Sequence, residues 1–206
     1  MKSKNRTDSQ RRTNSLDFFR GFLREPGIVG SIIPSSRYLE QRIINAADLA
    51  NARLVVELGP GTGGTTRSLL NHLPANAQLL TIEVSAAFVE VLDGIDDPRL
   101  INHCGSAADL EDILSQHQLP GADAVISGIP FSTMPDAVGR QVIDAVWRSL
   151  APGGHFVAYQ FRDHVATLAR PLIGVPEIRM EMRNIPPMRV FRWQRPGNNK
   201  AASDPA

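Results

Sequence analysis

The chain has a single cysteine, Cys104, among its 206 residues. No intramolecular disulfide can form, and a reducing compartment fits. No apolar run approaches the ~20 residues that a spanning helix needs. The N-terminus has no signal-peptide core, and a cytosolic location is expected. There is no internal repeat. Net charge is only +1, so the whole molecule has no strong electrostatic bias. Hydrophobic residues are 42% and charged residues 21%, ordinary proportions for one globular domain with a sizeable core.

The charge is unevenly placed. Residues 1–24 hold seven basic side chains against two acidic ones, and residues 179–200 hold six against one. Basic ends suit an anionic partner, lipid headgroups or nucleic acid. Residues 1–14 read as a disordered basic tail, 15–50 as N-terminal amphipathic cover helices, 51–196 as the main domain and 197–206 as a loose tail. In the cover region, Leu16, Phe18, Phe19, Phe22 and Leu23 share one side of a helix with Asp17, Arg20 and Arg24 opposite. That pattern suits a headgroup boundary or a packed core face. A second helix is expected from Arg37 to about Leu49.

From residue 53 the pattern alternates. Strands are expected at 54–58, 78–83, 99–103, 122–127 and 154–160, with helices near 64–72, 85–92, 107–117 and 136–150. The alternation weakens after Tyr159. Residues 177–184 and 188–195 straddle Pro186-Pro187 and read as a hairpin. The fold class is therefore α/β: a doubly wound, seven-stranded, mainly parallel sheet finished by an antiparallel pair.

Two segments carry the chemistry. Residues 54–63 read Leu-Val-Val-Glu-Leu-Gly-Pro-Gly-Thr-Gly, and Glu83 closes the run Leu79-Leu-Thr-Ile-Glu83 twenty positions later. Glycines at 59, 61 and 63 let the main chain turn and approach a ligand. The second acid is placed for ribose hydroxyls. Glu57, ahead of the glycines, would repel a pyrophosphate and attract a cation. Gly59, Gly61, Gly63, Glu57 and Glu83 together resemble the first two motifs of the class I S-adenosylmethionine methyltransferases.

That resemblance implies S-adenosyl-L-methionine as cofactor and assigns further cofactor contacts to Val84, Ser106, Ala107 and Ser127. Such enzymes usually carry Gly-Asp-Ala where this chain has Gly105-Ser106-Ala107. Serine hydrogen-bonds the adenine edge without charge, a loss of about 1 kcal/mol. The loop Ser127-Gly128-Ile129-Pro130-Phe131 is the pointer to substrate. In amino-methylating relatives it opens with Asn or Asp, which holds a planar amine. Ser127 lacks that acceptor, Gly128 removes bulk, and Phe131 offers a π face to an ammonium. A flexible alkyl amine is favoured.

More closely, the chain resembles the bacterial phospholipid N-methyltransferases. The matching pieces are the Phe-rich helix 16–23, Gly30-Ser-Ile-Ile-Pro-Ser-Ser36, Val56 to Gly63, Ser127 to Phe131, Leu150-Ala-Pro-Gly-Gly154 and Asn184-Ile-Pro-Pro-Met-Arg-Val-Phe191. The resemblance implies an aminophospholipid or amino-lipid acceptor and peripheral association with an anionic inner membrane surface through the first helix. Nucleic acid is the disfavoured partner, and no metal site is expected. Candidates to take the proton from the acceptor amine are Tyr159 and Tyr38, with His103 and His155 also near strands. Arg189, with Arg183 and Arg192 nearby, is the candidate for a lipid phosphate.

Overall fold

The computed structural model describes residues 35–197. The Phe-rich segment Leu16–Leu23 and both terminal tails lie outside the described residues.

The first described helix, α1 (Arg37–Ala47), starts where the side chain of Ser36 accepts a hydrogen bond from the Leu39 amide, and it ends at Asp48 in the left-handed region. Its buried stripe of Leu39, Ile43, Ala46 and Ala47 lies on one face of a sheet. Five parallel strands follow in alternation with helices: β1 (Leu54–Leu58), α2 (Gly64–His72), β2 (Gln78–Glu83), α3 (Ala86–Asp93), β3 (Leu100–Cys104), α4 (Leu110–Gln116), β4 (Ala122–Ser127), α5 (Asp136–Ser149) and β5 (Leu150–Gln160). Helix α6 (His164–Ile173) leads to the hairpin of β6 (Glu177–Glu181) and β7 (Met188–Gln194). The strand order is β3-β2-β1-β4-β5-β7-β6. Strand β7 is antiparallel to both of its neighbours. The expected seven-stranded sheet with a closing antiparallel pair is present.

Two apolar layers cover the sheet. One unites Val56, Leu58, Ile82, Phe131, Val142, Phe156 and Phe191 with α4, α5 and α6. The other unites Val55, Leu79, Ile126 and Val157 with α1 and α2. Strand β1 is buried along its whole length, as a central parallel strand must be. Each such buried aliphatic side chain stabilises the fold by about 1.5–3 kcal/mol.

Departures from expectation have local causes. Strand β5 begins at Leu150 rather than 154, because Pro152 and Gly153 are absorbed in a register shift opposite Ala122 to Ala124. The expected helix 107–117 is a short 3-10 turn at Ala107–Asp109 followed by α4. Strand β6 stops at Glu181, three residues before the expected end. Helix α6 was not foreseen; Pro171 interrupts its amphipathic pattern within the last turn.

Candidate active site

Every parallel strand points its carboxyl end to the same edge of the sheet, and the candidate residues gather there. The turn after β1 holds Gly59, Gly61 and Gly63 at φ of 70°, 56° and 80°, the left-handed region where only glycine is unstrained. This turn lets α2 begin beside β2. The Gly61 amide then donates to Glu83 Oε2 at 3.2 Å, and the Ser85 amide donates to Glu83 Oε1 at 3.0 Å. The Val84 amide also serves the Glu83 carboxylate. Burial raises Glu83's pKa, and these three backbone donors oppose the shift. A carboxylate has about four acceptor positions, so Glu83 retains capacity for ribose hydroxyls.

Glu57 is fully buried. Thr66 donates to its Oε2 at 2.7 Å, while its Oε1 is buried without a hydrogen-bond partner. Burial pushes its pKa up to about 7; the Thr66 hydrogen bond opposes the rise, and the charge of Glu83 adds to it. Two acids therefore converge on one dry region. A buried carboxylate oxygen left unpaired is costly. The sulfonium and ammonium groups of S-adenosylmethionine are the complement this site lacks, so the residues present fit that cofactor.

Ser106 and Ala107 are buried at the end of β3. Ser106 caps the following turn, its Oγ accepting from the Ala108 amide at 3.2 Å. Cys104 beside it is a free, exposed thiol. Serine is thus partly committed to the backbone, which agrees with a weaker adenine contact than an aspartate makes.

The loop after β4 lies against the glycine turn. A Cβ on Gly59 would come within 3.1 Å of Ile129 Cγ1, and a Cβ on Gly128 would fall 2.5 Å from the Tyr159 hydroxyl and 3.3 Å from Gly59 O. Gly128 is therefore the residue that lets Tyr159 reach between the two loops. The Tyr159 hydroxyl lies 3.4 Å from Thr65 Oγ1. Burial, then the nearby charge of Glu57, raises its pKa; the Thr65 bond opposes this and Glu40 adds a smaller rise. Tyr159 is a phenol at neutral pH, a group that orients an amine rather than a strong base. Ser127 Oγ accepts from the Ile129 amide at 3.3 Å. Gln160 donates to the Ile129 carbonyl at 2.5 Å, and together they hold the loop.

Other candidates are placed differently. Phe131 is fully buried, packed against the position of Gly139 beneath α6. Its ring belongs to the core and presents no face to a substrate, because the 3-10 turn at Phe131–Thr133 points it inward. Ile129 is buried and Pro130 half-buried. Tyr38 stands at the start of α1, its hydroxyl accepting from Arg37 at 2.8 Å. Arg189 donates to the Phe161 carbonyl. Arg192 does not join it; its Nε donates to Ala46 O at 2.9 Å and its Nη2 lies 2.6 Å from His155 Nε2. Burial and this guanidinium lower the pKa of His155. His103 pairs with His117 at 3.1 Å, and burial, then His117, lowers its pKa. Both histidines are thus engaged away from Tyr159. Residues that the sequence reading missed are Thr65, Thr66, Gln160 and Glu40. The threonine pair directly after the glycine loop was the available signal.

Comparison with known proteins decides the matter. Residues 55–154 match the family described as "Methyltransferase domain". The chain is 30% identical over 145 residues to an ornithine lipid N-methyltransferase from Singulisphaera acidiphila, covering 68% of this chain and 73% of that protein. The chain belongs to the class I S-adenosylmethionine methyltransferases. It is also 27% identical over 162 residues to the ribosomal RNA small subunit methyltransferase A of Cutibacterium acnes, covering 71% of this chain but 51% of that protein. Among solved structures, the N-methyltransferase NodS of Bradyrhizobium japonicum in complex with S-adenosyl-l-homocysteine superposes with a TM-score of 0.62 at 15% identity, over 89% of this chain and 99% of that one. The fold is shared with that neighbour. The chain is an S-adenosylmethionine-dependent methyltransferase, and the sequence resemblance to the lipid N-methyltransferases is borne out.

Proposed function

We propose that this methyltransferase transfers methyl groups to the amino headgroup of a phosphatidylethanolamine-like phospholipid or other amino-lipid, working from the cytoplasm at the inner membrane surface. One observation carries the reading. Gly128 makes room for a phenol hydroxyl at the acceptor mouth, while Ser127 is turned back on its own loop. Position 127 offers a planar base amine no carboxamide or carboxylate, and the Gln160 carboxamide is committed to the Ile129 carbonyl. A tetrahedral alkyl amine needs only one oriented acceptor, and Tyr159 supplies it. The lipid relative points the same way.

The bound cofactor supplies the electrophilic methyl group. The chain's own residues supply binding and alignment. Glu57 would neutralise the cationic donor in a water-poor site, Glu83 would hold the ribose, and Ser106 with Ala107 would border the adenine. The Tyr159 hydroxyl would accept a hydrogen bond from the neutral acceptor amine and so fix its orientation. The Phe-rich segment 16–23 is assigned the role of membrane anchor, and Arg189 with Arg183 that of contacts to the lipid phosphate.

A second reading, methylation of an RNA adenine, draws on the ribosomal RNA relative. Ser127 in place of the amide or acid speaks against it. The test is radiolabelled methyl transfer from S-adenosylmethionine into extracted lipid and into RNA in parallel. Label in the lipid fraction alone is expected. Label in RNA alone would refute the lipid assignment.

A further inference from the structure

Exposed large apolar side chains are not scattered over this protein. Among the described residues, seven of eight fall between positions 161 and 185; Val91 is the exception. Val175, ahead of β6, is 71% exposed; Ile185 is 89% and Met182 66% exposed. The latter two lie in the turn joining β6 to β7. Single exposed apolar residues need no explanation, but a contiguous group does.

The strand register divides these residues: Leu172 and Val175 precede β6 at its far end, while Phe161, Met180, Met182 and Ile185 share the end where β5 stops. Strand β7 runs against β5 with Arg189 opposite Gln160, and β6 runs against β7 with Glu181 opposite Met188. The β6–β7 turn therefore projects from the edge of the sheet where β5 ends, the edge that carries the donor site. Phe161, 54% exposed, follows β5 on that edge and is tied through its carbonyl to Arg189.

The turn is rigidly held. Asn184 is buried; its Oδ1 accepts from the Ser36 amide at 2.9 Å, and its Nδ2 donates to the Pro186 carbonyl at 2.9 Å. The chain thus enters α1 at the turn, directly after the segment that holds residues 1–34. Cations frame the apolar tip. The Arg183 guanidinium lies 4.3 Å from the Tyr38 ring centroid, and that of Arg37 lies 4.8 Å from it. Arg37 and Arg183 are exposed. The acids nearby are Glu181, buried and paired with Arg42 at 2.9 Å and with Arg183 at 3.6 Å, and Glu40 in the first turn of α1. Arg162 and Asp163, next to Phe161, offset each other. Four arginines (37, 42, 183 and 189) against two glutamates leave the face cationic.

We infer that the β6–β7 turn is an anionic-bilayer docking surface, with Met182 and Ile185 inserting among acyl chains and Arg37 and Arg183 meeting lipid phosphates. Apolar side chains ringed by guanidiniums match the boundary between headgroups and acyl chains. The contact turns the donor edge of the sheet toward the membrane, so an amino headgroup has a short path to Tyr159. The inference rests on the lipid-methylating reading and adds to it the surface that orients the enzyme.

Vesicles of phosphatidylethanolamine with phosphatidylglycerol are the probe. Ile185→Trp is expected to shift its emission to the blue on adding them and to be quenched by brominated acyl chains, over the background of Trp147 and Trp193. Met182→Asp with Ile185→Asp is expected to weaken vesicle binding at least tenfold and to lower methyl transfer into vesicle lipid equally. S-adenosylmethionine binding and transfer to a monomeric short-chain amino-lipid should stay within twofold of wild type. If the tryptophan does not respond to vesicles and the double aspartate variant binds them as wild type does, the docking surface is overturned while the acceptor assignment stands. A blue-shifted tryptophan without vesicles would show instead that the chain's own first 34 residues cover the turn, and would equally overturn it. Loss of vesicle binding together with no transfer to short-chain lipid by either protein would leave the docking surface standing and remove the lipid acceptor.

Discussion

The donor half of the cleft and the acceptor half are built by opposite means. The donor half places charge in a dry site: Glu57 is fully buried with one oxygen unpartnered, and Glu83 spends its oxygens partly on the backbone amides of Gly61 and Ser85. The acceptor loop after β4, residues 127–131, carries no charged side chain. That loop is tied down by Ser127, Gln160 and the core-packed Phe131, and the polar tip of this half is one phenol admitted by one glycine. On the proposed reading, charge in the first half selects a cationic cofactor and space in the second half selects the acceptor. Substitutions should separate the two, affecting binding on one side and turnover on the other.

The largest effect is expected at Glu57. Glu57→Gln removes the negative charge facing the cationic donor, and S-adenosylmethionine affinity by calorimetry should fall about 100-fold, equivalent to ~2.7 kcal/mol. The same change should stabilise the cofactor-free protein. The folded state raises the Glu57 pKa from 4.5 to about 7, so between those values it binds more protons than the unfolded chain. Stability therefore declines as pH rises across that window, by an order of 3 kcal/mol. At pH 8, denaturant unfolding of Glu57→Gln should show a gain of about 1–3 kcal/mol. A loss of stability there would mean that the carboxylate is not strained in the fold.

Gly128→Ala comes next. Its Cβ would sit 2.5 Å from the Tyr159 hydroxyl, so the phenol must withdraw. Single-turnover transfer should slow about 30-fold, with cofactor affinity within about threefold of wild type. Equal losses in binding and turnover would dissolve the division between the halves. Tyr159→Phe sharpens the same point: turnover should drop about tenfold. Because the Tyr159 pKa is raised, the wild-type rate should show no limb from phenol ionisation between pH 6 and 10. The smallest effect is on the donor side. Ser106→Asp restores the acid common in such enzymes and should tighten cofactor binding about fivefold.

The donor half was also the more legible in sequence. Three glycines at alternate positions, an acid before them and an acid twenty residues on already implied the turn and its cofactor. Strand boundaries followed because buried parallel strands are continuous apolar runs. Strand β5 was misjudged at its start because Pro152 and Gly153 look like a turn, and the register shift that absorbs them is a property of pairing with β4. The acceptor half was legible only in outline. Phe131 reads as a stacking aromatic after a strand, yet a 3-10 turn directs it into the core, and local sequence does not reveal that direction. Nothing near Gly128 announces that its missing side chain is filled by Tyr159, thirty-one residues away. Thr66 stood in view directly after the glycine loop, but its bond to Glu57 follows only from the packing of α2.

The most direct test of the account is calorimetric titration of S-adenosylmethionine between pH 5.5 and 8.5, for wild type and Glu57→Gln. A Glu57 that must shed its proton to meet the cationic donor predicts wild-type affinity rising up to about tenfold per pH unit below 7 and levelling above it. The Glu57→Gln protein should bind weakly without that rise. Identical profiles for the two proteins would contradict the claim that a buried, partnerless carboxylate at the end of β1 is what selects the cofactor.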